Sequence, residues 1–191
     1  MKTKNLLLPL LLVVVLAVIN GCEYPFLLLA AVVIHETAHV LTAIAVGAEI
    51  SLGKLLPCGL VLEYDCHLIS PIKEAAIAAA GVAVNAAAAA GCVIFADLNS
   101  PPVFFAFAVN AVLAAMNILP ISGFDGAVIA ERLLSAFTDP NTAAHVTRSI
   151  SDFGSVAFAL FTVWVNVKIG VNVSMLVLSL YLIFKLMSGK N

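Results

Sequence analysis

Six segments of the chain are apolar over close to the length that crosses a bilayer: residues 5–19, 26–46, 75–95, 103–119, 153–167 and 171–187. A spanning helix needs about 20 mostly apolar residues, because a rise of about 1.5 Å per residue must cover about 30 Å of hydrocarbon. The first segment is short and contains Pro9, and the third is very rich in alanine. Composition points the same way. The chain is 63% hydrophobic and 10% charged, whereas an ordinary soluble domain is about 25% charged. A globular chain this apolar would lack the polar surface to face water, so the bilayer is the solvent that fits.

The charges that exist are scattered. No basic tract is present to hold phosphates, which removes nucleic acid as a partner. Cys22, Cys58, Cys66 and Cys92 form neither a close-spaced disulfide framework nor a zinc ribbon. Lys2 and Lys4 followed by an apolar stretch imitate a signal peptide, and Ile19-Asn20-Gly21-Cys22 a lipoprotein cleavage box. Asn20 suits that box poorly and further spans follow at once, so a retained first span is expected. With six spans and the N-terminus inside, Lys2, Lys4, Lys54, Lys73, Arg132, Arg148, Lys185 and Lys190 lie on the inner side. Only Lys168 lies outside, which is eight of the nine basic residues on one side. That bias places both termini in the cytoplasm and the chain as a multi-pass protein of the cytoplasmic membrane.

Two stretches are neither clean spans nor ordinary loops. Residues 48–68 are apolar, alternate in part and are broken by Pro57-Cys58-Gly59. They read as a re-entrant or interfacial β-hairpin. Residues 127–152 have helical spacing with Glu131, Arg132 and Arg148 interspersed and a break at Asp139-Pro140-Asn141. They read as one or two short helices at the cytoplasmic surface. The expected fold is therefore an all-α polytopic membrane protein of about six transmembrane helices, with a small membrane-embedded β-hairpin after the second.

The second segment contains His35-Glu36-Thr37-Ala38-His39. Four residues apart on a helix, the two imidazoles share one face and both can reach one metal. Glu36 beside them can reach a metal-bound water. This is the H-E-x-x-H pattern of zinc hydrolases, in which the metal acidifies water and the glutamate takes its proton. A charged group at mid-membrane depth costs about 2.5–3.5 kcal/mol on insertion scales, so three ionisable groups in five residues require a reason. The competing reading is a polar helix face, either a proton path or a structural hydrogen-bond cluster.

A catalytic zinc ordinarily takes three protein ligands. His67 and His145 sit where surface histidines are commonest. Asp125 is the better candidate, in Asn117-Ile118-Leu119-Pro120-Ile121-Ser122-Gly123-Phe124-Asp125-Gly126. Pro120 and Gly123 interrupt the helix, and such a break can turn a carboxylate inward. The local residues leave this open against a plain Phe-Asp-Gly turn at the membrane surface.

His35-Glu36-Thr37-Ala38-His39 in the second span, with N-x-x-P-x-x-x-x-D-G from Asn117 to Gly126, resembles the site-2 protease family of intramembrane zinc metalloproteases. The layout without a large inserted domain is most similar to the branch that includes the sporulation protease processing pro-sigma-K. The resemblance implies that His35, His39 and Asp125 ligate one Zn2+ per chain and that Glu36 is the general base. It implies that Asn117 lies by the site and helps hold substrate or oxyanion. Ala80-Gly81-Val82-Ala83-Val84-Asn85 is similar to the family's third-span G-P-x-x-N element, which puts Asn85 in the same role. The 48–68 stretch looks like the family's β-region, which pairs with an unwound substrate. Val82, Gly123 and Ala127 depart from the family pattern, where proline, proline and glycine are usual, which bears on loop rigidity and substrate fit.

The resemblance further implies a single membrane protease domain over residues 1–191, with a catalytic core of about 26–127 and no appended soluble domain. Its activity would be peptide hydrolysis in membrane-embedded or membrane-associated substrates, in regulated proteolysis or sporulation signalling. The partners implied are that substrate and the lipid bilayer; a membrane regulator or a homo-oligomer stays open. The alternatives are a catalytically inactive homologue that binds a membrane protein, and a transporter using His35, Glu36 and Asp125 as an ion path.

Overall fold

The structure is a computed structural model that describes residues 23–48, 50–51, 55–56, 59–60, 63–64 and 69–187. Six helices carry it: α1 (Glu23–Ala45), α2 (Pro71–Phe95), α3 (Pro101–Asn117), α4 (Asp125–Ser135), α5 (Pro140–Lys168) and α6 (Val173–Met187). Three helices open on a polar residue followed by proline: Ser70-Pro71, Ser100-Pro101 and Asp139-Pro140. Proline suits the first turn because its missing N–H has no partner there and its φ is already helical. The Ser70 hydroxyl accepts from the Lys73 amide, and the Asp139 carboxylate from the amides of Asn141 and Thr142. Helix α1 ends at Gly47, whose φ of +81° permits the left-handed cap. The Ala48 amide then donates to Ala43 O at 2.9 Å and the Gly47 amide to Ile44 O at 3.0 Å, the paired bonds of a Schellman stop. Lys73 Nζ reaches back to Val46 O at 3.2 Å, tying the start of α2 to the end of α1.

Three expectations need correction. First, the fold is all-helical, and the membrane-embedded β-hairpin is not seen among the described residues. Between 50 and 64 the described residues form two antiparallel pairs of two-residue segments: Ile50–Ser51 with Glu63–Tyr64, and Leu55–Leu56 with Gly59–Leu60. Ile50 faces Tyr64, but Leu55 faces Leu60 where a continuous register would set it against Gly59. The two pairs are thus offset from each other by one residue in register. Second, the described helices do not all match the expected spans. Three are long and apolar enough to cross a membrane, Tyr24–Ala45, Pro71–Phe95 and Pro140–Lys168, while Pro101–Asn117 and Met175–Met187 are shorter apolar helices. The remaining helix, α4, is an amphipathic segment of 11 residues. Third, Asp139-Pro140-Asn141 breaks the chain only on its N-terminal side. The proline starts α5, which runs 29 residues and joins the polar stretch before residue 153 to the apolar one after it. The expected first span, residues 5–19, lies outside the described residues, as do Cys22, Cys58, Cys66 and His67.

Helix α2 is the hub and packs against α1, α3 and α4, while α5 packs against α4 and α6. Its alanines and Gly81 let neighbouring backbones approach closely, as small residues do between helices in lipid. One apolar cluster joins Ile121 and Phe124 before α4 to Phe158 of α5 and Leu182 of α6. A second joins Ala43, Ile69 and Ile77 at the α1–α2 junction. Large apolar side chains such as Leu41, Phe104, Trp164 and Leu180 stay exposed on the outer faces, the arrangement of a membrane protein whose surface is covered by lipid.

Candidate metal centre

His35 and His39 lie on the same face of α1 and are both buried, at 6% and 7% exposure. His39 Nδ1 donates to the Ile77 carbonyl at 2.8 Å, and His35 Nδ1 donates to Asn85 Oδ1 at 2.5 Å. Both acceptors lack a hydrogen on that atom, so each Nδ1 must carry the proton. Each neutral ring is then left with a lone pair on Nε2. The two Nε2 atoms converge to 3.1 Å.

Helix α2 forms the wall behind them. Gly81 and Asn85 are one turn apart and share the face turned to α1. A Cβ built on Gly81 would stand 2.5 Å from His39 Nε2 and 2.7 Å from His35 Nε2. Glycine at this place is therefore a steric requirement of the imidazole pair.

Asp125 arrives from the other side as the first residue of α4. The chain leaves α3 at Asn117, turns through Pro120 and passes Gly123 with φ of +108°. The Ser122 amide is held by Ser151 Oγ of α5 at 2.6 Å. Gly126 then packs against the carbonyls of Ile118 and Leu119 so tightly that no Cβ could be placed there. Glycine thus lets α4 begin directly against the end of α3. The result is a carboxylate at a helix N-terminus, where the helix dipole favours negative charge. Further along α4, Arg132 Nε lies 2.8 Å from Oε2 of the buried Glu74 in the first turn of α2. That ion pair fastens the helix bearing Asp125 to the helix bearing Gly81 and Asn85.

Asp125 Oδ2 lies 3.1 Å from His35 Nε2 and 3.4 Å from His39 Nε2. That oxygen is shut from solvent, so the two imidazole nitrogens are its neighbours at the centre. With both rings neutral, three lone pairs face one another, an arrangement that repels unless a cation sits among them. Tetrahedral zinc with bonds of about 2.0–2.1 Å separates its ligand atoms by about 3.3 Å, close to the 3.1, 3.1 and 3.4 Å here. The donor set of two imidazoles and a carboxylate therefore fits zinc. Among the described residues this is the one cluster of three or more His, Cys, Asp or Glu donors close enough to hold a metal ion.

With this geometry the chain can be set beside known proteins. Its fold is similar to that of a solved site-2 protease. That structure, the site-2 protease from Methanocaldococcus jannaschii, superposes with a TM-score of 0.68 over 98% of this chain and 88% of the other, at 22% identity. No family model matches the sequence. No curated protein matches it either. At this identity the likeness to the site-2 protease is one of fold.

The structure thus brings together His35, His39, Asp125 and Asn85, with Glu36 half-buried beside the two imidazoles on α1. It does not bring Asn117 into the same hydrogen-bond set, since Asn117 Nδ2 donates to Leu113 O of its own helix at 3.1 Å. His145 is exposed on α5 and lines a separate polar cavity of about 240 Å³ with Ser122, Glu131 and Arg148. Sequence reasoning missed Asn110, Glu74 and Arg132. Asn110 had a signal, an amide in the middle of an apolar helix, whereas the Glu74–Arg132 pairing spans 58 residues and had none.

Proposed function

We propose that this chain is a zinc-dependent intramembrane endopeptidase acting on membrane-embedded or membrane-associated protein substrates. The observation that carries the proposal is the convergence of His35 Nε2, His39 Nε2 and Asp125 Oδ2, with Glu36 adjacent, on an apolar helix long enough to span a bilayer. In this reading His35, His39 and Asp125 hold the metal. When bound, zinc supplies a Lewis acid that polarises the scissile carbonyl and makes water acidic enough to lose a proton near neutral pH. The Glu36 carboxylate accepts that proton as the water attacks and returns it to the departing amine. Asn85 and the Ile77 carbonyl hold the imidazoles in the tautomer that leaves Nε2 basic. Asn117, at the end of α3 close before the turn to Asp125, is proposed to act on substrate rather than on the metal ligands.

The catalytic unit in this reading spans about residues 26–127, with α5 bracing the α3–α4 turn through Ser151 and Phe158 and α6 through Leu182. The finer placement, with the sporulation branch and regulated proteolysis, is supported by the sequence motifs and the short layout. Cytoplasmic termini are supported by the distribution of Lys and Arg. The test is cleavage of a membrane-tethered substrate by purified wild type and Glu36→Gln in detergent or liposomes. The substitution is expected to lower the rate by about 10²–10⁴-fold while zinc stays bound at one ion per chain. Equal rates for the two proteins overturn the role of Glu36.

A further inference from the structure

Asn110 sits in the middle of α3 and is a buried polar side chain, at 8% exposure. It touches no candidate ligand. Its Nδ2 donates to Ala106 O at 2.8 Å, one turn back on its own helix. Its Oδ1 accepts from Asn85 Nδ2 at 2.7 Å. Asn85 Nδ2 also donates to Ala31 O of α1 at 3.3 Å, and Asn85 Oδ1 accepts from His35 Nδ1. Three helices thus meet in one line of amides that ends on an imidazole.

The polarity of that line has a single consistent direction. Ala106 O and Ala31 O are backbone carbonyls and only accept. The nitrogen of Asn110 must face Ala106, so its oxygen faces Asn85. The nitrogen of Asn85 must then face both Asn110 and Ala31, so its oxygen faces His35. Turning either amide over sets oxygen against oxygen or nitrogen against nitrogen in a site closed to water, where an unmet polar group costs about 1–3 kcal/mol. An imidazole facing a carbonyl oxygen through Nδ1 keeps its proton there and its lone pair on Nε2. We propose that Asn110 is a positioning residue: through Asn85 it fixes the tautomer of His35 and thereby the affinity of the centre for zinc. This inference rests on the metal-centre reading above and assigns a residue that lies outside the ligand set and its immediate partners.

A double-mutant cycle on the full-length protein tests it. Zinc affinity is measured by competition with a chromophoric chelator for wild type, Asn110→Leu, Asn85→Leu and the double variant, with helix content and melting as the check on folding. Asn110→Leu is expected to weaken zinc binding about tenfold, as outer partners of metal ligands do. It is expected to cost nothing further in the Asn85→Leu background, because the route to His35 is already cut. The 15N shifts of His35 in the metal-free protein should report a single Nδ1–H tautomer in wild type and a mixture in Asn110→Leu. An unchanged affinity, or the same loss in both backgrounds, overturns the proposal, since a purely structural residue would act independently of Asn85. If Asn110→Leu does not fold, Asn110→Ala enters the same cycle with the same two readings. Failure of wild type itself to bind zinc refutes the metal centre, which separates that outcome from failure of the Asn110 assignment.

Discussion

Gly81→Ala separates folding from metal binding. The added Cβ would stand 2.5 Å from His39 Nε2, 2.6 Å from His35 Cε1 and 2.7 Å from His35 Nε2. Ordinary contact distances begin at about 3.5 Å, so the rings must retreat by about 1 Å. They cannot do so freely, because Asn85 and Ile77 O hold both Nδ1 atoms. Either those bonds break or the methyl occupies space at the Nε2 atoms. For the helix alone the change is favourable by about 1 kcal/mol, since alanine is the better helix former, and overpacking costs about 1–3 kcal/mol. The metal-free stability should therefore change by no more than about 2 kcal/mol. Zinc affinity should fall at least 100-fold, equivalent to about 2.7 kcal/mol. The assay is thermal unfolding in detergent with and without saturating zinc, alongside a chelator titration. Wild type is expected to be stabilised by zinc through linkage, and Gly81→Ala to lose most of that increment. A Gly81→Ala protein that binds zinc as tightly as wild type would refute the assignment of Gly81 as the wall of the centre, and with it the close approach of α2 to the imidazoles.

Three further outcomes follow from the same geometry. Gly126→Ala meets the backbone carbonyls of Ile118 and Leu119, which cannot rotate away. It should displace the start of α4 and abolish zinc binding and peptide hydrolysis together, read by metal content and a cleavage assay. Glu74→Gln removes the carboxylate 2.8 Å from Arg132, which keeps only the longer contact to Glu131 at 3.6 Å. Breaking a buried pair costs about 3–5 kcal/mol, and because Arg132 is 33% exposed the lower end is expected, measured as a lowered denaturation midpoint that Glu74→Leu with Arg132→Met partly restores. Treatment with a strong chelator should abolish hydrolysis and zinc should restore it, whereas Asp125→Asn should show weakened zinc binding and no recovery at zinc concentrations that restore wild type, followed by metal analysis and activity.

Much of this architecture could be read from local signals. The long apolar runs, the Ser-Pro and Asp-Pro helix starts and the four-residue spacing of His35 and His39 depend on neighbours within a turn or two. Chemistry at that range is written in consecutive residues. Asp125 was different: the local residues left it open against a plain Phe-Asp-Gly turn, and the resemblance of the Asn117 to Gly126 pattern to the site-2 protease family singled it out. Where local pattern misled, tertiary context won. The apolar alternation within residues 48–68 suggested one hairpin, yet the described residues there form two-residue pairs in unmatched register. Asp139-Pro140 looked like a break inside a surface segment, yet it caps a 29-residue helix.

What only the folded chain decided is who stands behind each ligand. Gly81, Asn85 and Asn110 come from two helices far along the chain from His35, and Asn85 is 50 residues from its imidazole partner. Their identities as a small residue and two amides are ordinary in any sequence. They acquire meaning only when α1, α2 and α3 pack closely enough to exclude water, because there an acceptor must meet a donor and a missing Cβ makes room for a ring. The sequence alone determined that two histidines, a glutamate and an aspartate were available in an apolar chain. Packing decided that the lone pairs of the two histidines and the aspartate would face one point.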